Sequence, residues 1–237
     1  MVTQVPISTQ EIVYPESDGK PMASNTTHLE WIVILKENLS WLFASDPNVL
    51  VVADLFWYPV EGRNKIVTAP DVMVAIGRPK GHRGSYKQWE EGGIAPQVVF
   101  EILSPSNDSS EMGSKLIFFD RYGVEEYYIY DYEQNHLQVW QREEEILTSQ
   151  LVDKEWVSPR LGIRFDLSGK EMQVFYPDGT AFLTYDQVQE NLVQVQENLV
   201  QAQENLVQVQ ENLLQERNRA ERLAAQLRAL GVQPQEE

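Results

Sequence analysis

Asp71, Glu101 and Lys115 are the residues of this sequence best suited by type and spacing to do chemistry. Glu101 interrupts the apolar run "VVFEIL", which otherwise reads as a buried strand. Side chains alternate along a strand, so Val99, Glu101 and Leu103 share one face and Val98, Phe100 and Ile102 the other. An ionised carboxylate in an apolar layer is costly unless it is paired or bound to a metal, so Glu101 requires a partner. Asp71, directly after Pro70 in the preceding strand-like segment "TAPDVMVAIG", offers a second acid. Two carboxylates from neighbouring strands can hold Mg²⁺, which takes one or two protein carboxylates and keeps several waters. Such an ion can polarise a phosphodiester and activate water. Lys115, four positions before Phe119 and seven before Tyr122, lies on the helical stripe expected to face the sheet, where it could reach the acids.

Each residue also has a plainer reading. Asp71 could cap a turn after Pro70, Glu101 could form a buried ion pair with Lys115 and no metal, and Lys115 could snorkel from an apolar face. Asp54, in "VVADLFWY", is expected to be structural or a neighbour supporting the site, and His28 and Glu30 on the first predicted helix could approach the same pocket. With three histidines, at 28, 82 and 136, a histidine-rich transition-metal site has little support. The segment "RPKGHRGSYK" carries Arg78, Lys80, Arg83 and Lys87 without an acid and falls between Asp71 and Glu101 in sequence. It could neutralise phosphates near the site, or be a solvated loop packed down by Tyr86 and Trp89.

The elements that must position these residues follow from periodicity and turn residues. "TTHLEWIVILKENLSWLFA" places Leu29, Ile32, Val33, Leu35, Leu39 and Leu42 at helical spacing, with Thr26 or Thr27 available as cap. "NVLVVADLFWYPV" and "KIVTAPDVMVAIG" read as strands joined by the turn-rich "EGRN". "SSEMGSKLIFFDRYG" predicts a helix ending at Gly123, and "EYYIYDYEQNHLQVWQ" a hairpin. A second hairpin is expected in "EMQVFYPDGTAFLTYD", turning at Asp178-Gly179. The order helix, two strands, strand, helix, strand, strand predicts an α/β (α+β) domain with a mixed sheet and helices packed against it.

From Val188 the sequence becomes a seven-residue repeat, "VQENLVQ VQENLVQ AQENLVQ VQENLLQ". Leu192, Leu199, Leu206 and Leu213 alternate with Val195, Ala202 and Val209 at steps of four and three, the spacing of a coiled-coil seam. Glu216 interrupts it, and Ala220, Leu223, Leu227 and Leu230 resume it towards Gly231, an expected C-cap, and Pro234. The flanking positions are mostly Gln and Asn, so charge encodes partner choice weakly, and Val193, Val200 and Val207 widen the apolar stripe and leave the seam assignment open. The prediction is one long helix that joins copies of the chain, a dimer first, with a lone helix folded back on its own domain as the alternative. Residues 1–24 then form an N-terminal segment, 25–185 the α/β domain and 186–237 the coiled-coil helix with a short tail.

Composition narrows the function classes. A net charge of -17 argues against coating nucleic acid or anionic membrane by bulk electrostatics, so any nucleic-acid contact must be local. The absence of cysteine excludes disulfides, thiolate zinc sites and cysteine nucleophiles. No run approaches the roughly 20 apolar residues of a membrane span, and "MVTQVPISTQ" lacks the features of a signal peptide. A cytoplasmic protein is expected.

The "PD" at 70 and 71, "VVFEILSPSN", and a lysine in the helix ending "FFDRYGVEEYYIYD" together resemble the Uma2 (DUF820) family of proposed restriction endonucleases, within the PD-(D/E)XK nuclease superfamily. "RGSYKQWEEGGIAPQVVFEILSPS" is similar to the cyanobacterial branch, whose members often end in a coiled coil. The resemblance implies a restriction-endonuclease-like fold and Mg²⁺-dependent (Mn²⁺ possible) hydrolysis of DNA. It implies that Asp71 and Glu101 bind the metal, that the backbone carbonyl of Ile102 is a further ligand, and that Lys115 completes the catalytic set. The superfamily pattern has a lysine two places after the second acid; here Leu103 stands there, and Lys115 is the substitute. A non-catalytic nucleic-acid or protein-binding scaffold built on the same fold is the competing reading.

Overall fold

The computed structural model describes residues 12–17, 19, 22–103 and 109–230. The chain divides into two units, Met1–Leu183 and Thr184–Glu237. The elements of the first are helix α1 (Thr26–Leu42), strands β1 (Val49–Ala53), β2 (Trp57–Tyr58), β3 (Val72–Ile76), β4 (Tyr86–Lys87) and β5 (Val98–Leu103), helix α2 (Ser109–Tyr122), and strands β6 (Glu126–Asp131), β7 (His136–Glu143), β8 (Ile146–Gln150), β9 (Glu155–Val157), β10 (Arg164–Asp166) and β11 (Gln173–Phe175). The second holds helix α3 (Tyr185–Ala229).

Six strands form the main sheet in the order β1-β3-β5-β6-β7-β8. Neighbours run antiparallel except β5 and β6, which are parallel and in register from Val98↔Glu126 to Leu103↔Asp131. Parallel neighbours need a crossover connection, and the stretch containing α2 provides it. The mixed sheet expected from the order of elements is therefore present. Strands β9, β10 and β11 form a small antiparallel sheet, and β2 pairs with β4 in parallel.

The alternation along β5 sorts its side chains as the sequence predicts. Val98, Phe100 and Ile102 join the core under α1, with Trp31, Ile32, Leu35 and Leu39, and this core extends to Phe165 and Val174 of the small sheet. Val99 joins the opposite core with Phe119 of α2 and Trp57, Met73, Tyr127 and Ile129, and Leu103 packs against it. One face of the sheet is thus closed by α1 with the small sheet and the other by α2 with the β2–β4 pair, which removes its apolar side chains from water at about 25 cal/mol per Å². The polar side chain on the α2 face of β5 is Glu101, 2% exposed.

The structure corrects some local expectations. The cap of α1 is Asn25, whose side chain accepts from the His28 N–H, rather than Thr26 or Thr27, which lie inside the helix. Leu29 and Val33 are each 41% exposed, because the buried stripe runs through His28, Trp31, Ile32, Leu35 and Leu39. The second hairpin reduces to β11 and a single bridge, Phe175↔Ala181, across the turn in which Gly179 takes φ +87°. Strands β8, β9 and β10 carry no clean alternation and are added by the structure.

Helix α3 covers the repeat. It opens with a capping box in which the Thr184 side chain accepts from the Gln187 N–H and the Gln187 side chain accepts from the Thr184 N–H. No residue of this helix is buried, and Leu192, Leu199, Leu206 and Leu213 are 50–70% exposed. The expected cap Gly231 and Pro234 lie outside the described residues. No helix among the described residues is long and apolar enough to cross a membrane.

Candidate active site

β5 presents Glu101 to α2, and α2 returns Lys115: its Nζ donates to Glu101 Oε2 at 2.7 Å. Lys115 sits one helical turn before the fully buried Phe119, so the packing that buries Phe119 also brings the ammonium down to the sheet. Its other anionic neighbour is Glu111, at 3.9 Å one turn earlier. The opposite oxygen, Glu101 Oε1, is buried without a hydrogen-bond partner among the described residues.

Asp71 enters from the residue before β3. Its Oδ2 accepts from the backbone N–H of Ile102 at 2.7 Å and lies 3.3 Å from His28 Nε2. Ile102 follows Glu101 directly, so the first bond ties the Asp71 carboxylate to the strand segment that carries Glu101. The described contacts of Asp71 thus converge on Oδ2. At the end of β1, Asp54 has φ +47° and donates its N–H to the carbonyls of Pro70 and Asp71. Asp54 therefore braces the backbone at Asp71, while its own residue is exposed.

The electrostatics single out Glu101. Burial pushes its carboxyl up to about 8, Lys115 pulling against this and Asp71 adding to it. Burial pulls Lys115 down, but Glu101, Asp71 and Glu111 together outweigh it and hold the ammonium above the ordinary lysine value. Tyr127 of β6 lies in the same core and its hydroxyl is also buried without a partner among the described residues. Burial, then the charges of Glu101 and Asp71, keep that phenol protonated.

Asp71, Glu101 and Lys115 therefore come together, and the residue of the pair flanking Glu101 that reaches Asp71 is Ile102, through its N–H. His28 reaches the site; Glu30, on the same helix, is exposed. The residues sequence reasoning missed are Tyr127, whose only signal was its position on a strand beside β5, and the N–H of Ile102, which no side-chain pattern reveals.

The basic loop behaves differently. Arg78 Nε donates to Glu91 Oε2 at 2.8 Å, and Arg83 donates to both oxygens of the same buried carboxylate. Hydrogen bonds from Arg83, against burial and with help from Arg78, hold Glu91 below the usual carboxylate range. Lys80 donates to the Phe43 and Ala44 carbonyls at the end of α1, and Lys87 pairs with Glu90 at 3.2 Å. All four cations have partners within the chain, so a phosphate would have to compete for them.

Among the described residues no group of three or more His, Cys, Asp or Glu could hold a metal. Two carboxylates, one with an unpartnered buried oxygen, suit a hard ion that keeps most of its waters, as Mg²⁺ does. They do not suit a caged transition metal.

No curated protein matches this chain. A solved structure described as a "putative nuclease belonging to DUF820", from Anabaena variabilis, is 14% identical, covering 57% of this chain and 72% of its own, with a TM-score of 0.43. The family model Uma2, described as "Putative restriction endonuclease", matches residues 17–174, more than half of the 237 residues. The chain belongs to the Uma2 family.

Proposed function

We propose that the α2-covered face of the sheet is a Mg²⁺-dependent endonuclease site that hydrolyses DNA phosphodiesters, with Mn²⁺ able to substitute. The observation that carries this reading is Glu101: a carboxylate 2% exposed, held by Lys115 on one oxygen, unpartnered on the other among the described residues, and tied through Ile102 to Asp71. Asp71 and Glu101 would hold the ion, with the Ile102 carbonyl as a further ligand. When bound, such an ion polarises a phosphoryl oxygen and lowers the pKa of water. The N–H of Ile102 and His28 fix Asp71 Oδ2, which orients the rest of that carboxylate. Lys115, a cation on the same face, orients water or offsets charge on the phosphate, the role Leu103 cannot fill.

Cleavage of plasmid and linear DNA with Mg²⁺ or Mn²⁺, compared for wild type, Glu101→Ala and Lys115→Ala, tests the assignment; equal activity in all three ends it. The ion pair at 2.7 Å supports one rival, a non-catalytic binding scaffold in which Glu101 and Lys115 serve only each other. Calorimetric titration with Mg²⁺ separates the two, because a scaffold has no site to lose on Asp71→Asn.

The reading extends to α3. Its leucine row is exposed, whereas Glu190, Glu197, Glu204 and Glu211 recur in a column away from it, so a second copy meets no row of like charge at the seam. Dimerisation there would let two sites address two strands. Sedimentation of the full chain and of a chain lacking residues 186–237 checks this; an unchanged oligomeric state removes the assembly role.

A further inference from the structure

An open cleft of about 300 Å³ lies between α2 and the segment before β3. One wall is Lys65 with the chain that runs on through Ile66 and Val67 towards Asp71; the other is the α2 row Ser114, Ile117, Phe118, Arg121 and Tyr122. Phe118 and Tyr122 stand three and seven positions beyond Lys115, on the helical row beside it. Each wall of the cleft therefore continues into one residue of the candidate site.

The charges in this cleft differ from those of the basic loop and of the paired cations around the sheet. The cations of the basic loop, Lys115, Arg142, Arg160 and Arg164 all have acidic or carbonyl partners. Lys65 and Arg121 are exposed and have no side-chain partner among the described residues. Between them are Ile117, 63% exposed, and two aromatic rings, Phe118 and Tyr122, 4.7 Å apart. Two uncommitted cations across a cleft floored by aromatic and aliphatic surface, in a chain of net charge -17, complement a polyanion with flat apolar faces.

We infer that this cleft is where a DNA strand lies, Lys65 and Arg121 holding its phosphates and Phe118 and Tyr122 meeting its sugars and bases. The inference rests on the nuclease reading and names the surface that delivers its substrate. It replaces the 78–87 loop, whose cations already hold the fold together, as the principal phosphate contact.

The test is equilibrium binding of the full chain to a short fluorescein-labelled duplex, and to its single strand, by anisotropy across a salt series with Ca²⁺ in place of Mg²⁺. Lys65→Ala and Arg121→Ala should each weaken binding similarly for unrelated sequences and make the slope of log K against log salt shallower by about 1. Lys154→Ala and Lys170→Ala, exposed cations elsewhere on the same unit, serve as controls and should leave both unchanged. Equal losses in cleft and control variants, or no loss in the cleft variants, overturn the inference while leaving the nuclease reading in place. A wild-type chain that binds neither probe overturns both.

Discussion

Two glutamates on adjacent parallel strands are buried almost equally, Glu101 at 2% exposed and Glu126 at 1%, yet they sit in opposite chemical situations. Glu126 points to the α1 side of the sheet, where Tyr128 and Ser158 hydroxyls donate to its Oε2 at 2.8 and 2.5 Å and the Arg160 N–H donates to its Oε1 at 2.7 Å. Ser158 Oγ in turn accepts from the Leu161 N–H, so the network fastens the segment before β10 to the main sheet. Glu101, on the α2 side, has one donor and one unpartnered oxygen among the described residues. Burial alone does not mark function, since a buried carboxylate with every acceptor satisfied is a structural fastener. Acceptor capacity left over beside a second acid and a lysine is what points to a ligand.

The largest expected separation between the two is in activity. Glu101→Gln should lower divalent-dependent DNA cleavage by roughly 10²-fold or more and abolish the calorimetric Mg²⁺ signal. Glu126→Gln should leave the intrinsic Mg²⁺ affinity of the folded protein unchanged. Equal losses in both would mean that the sheet, rather than the site, responds.

Stability against pH sharpens the contrast. The folded-state carboxyl of Glu101 lies above its unfolded value, so its contribution is fully present below about 4.5 and is lost as pH rises through about 8. In chelator, the unfolding free energy should therefore fall between those values by up to a few kcal/mol, and the fall should shrink in Glu101→Gln and on adding Mg²⁺. Glu91 has the opposite sign: its lowered carboxyl contributes above the unfolded value and is lost on acidification. Urea melts across the pH range read both.

Glu126→Ala should cost roughly 3 kcal/mol, because it leaves two hydroxyls and an N–H without their acceptor. The finest comparison uses neighbouring tyrosines on opposite faces. Tyr128→Phe removes a donor to Glu126 and should cost about 1.5–3 kcal/mol, whereas Tyr127→Phe removes a hydroxyl without a partner among the described residues and should change stability by less than about 1 kcal/mol. Denaturant midpoints of the two variants measure the difference; a larger cost at Tyr127 would contradict the distinction.

Much of the candidate site was legible because the period of a strand is two and that of a helix near 3.6. Those periods put Glu101 on the face opposite Phe100 and put Lys115 on the same stripe as Phe119. The seven-residue repeat likewise announced α3, since a regular apolar column needs no tertiary information to form a helix. Periodicity failed where pairing is long-range. The "RPKGHRGSYK" segment read equally as a phosphate contact and as a packed-down loop, because its acid, Glu91, lies just beyond it in sequence and only folding brings it onto Arg78 and Arg83. His28 could be named as a possible neighbour, but its contact with Asp71 spans 43 residues and depends on how α1 crosses the sheet.

The sequence by itself determined which faces are apolar, where the acids and lysine fall on them, and that the C-terminal unit is helical, because each of these is set by local spacing. Only the tertiary structure decided which polar atoms are satisfied: that both Glu126 oxygens have donors, that the loop arginines are held by Glu91, and that Glu101 Oε1 and the side chains of Lys65 and Arg121 have no partner among the described residues. Hydrogen bonds and ion pairs are short-ranged, so their completion depends on ångström-scale positions of chain segments far apart in sequence, which spacing along the chain does not contain.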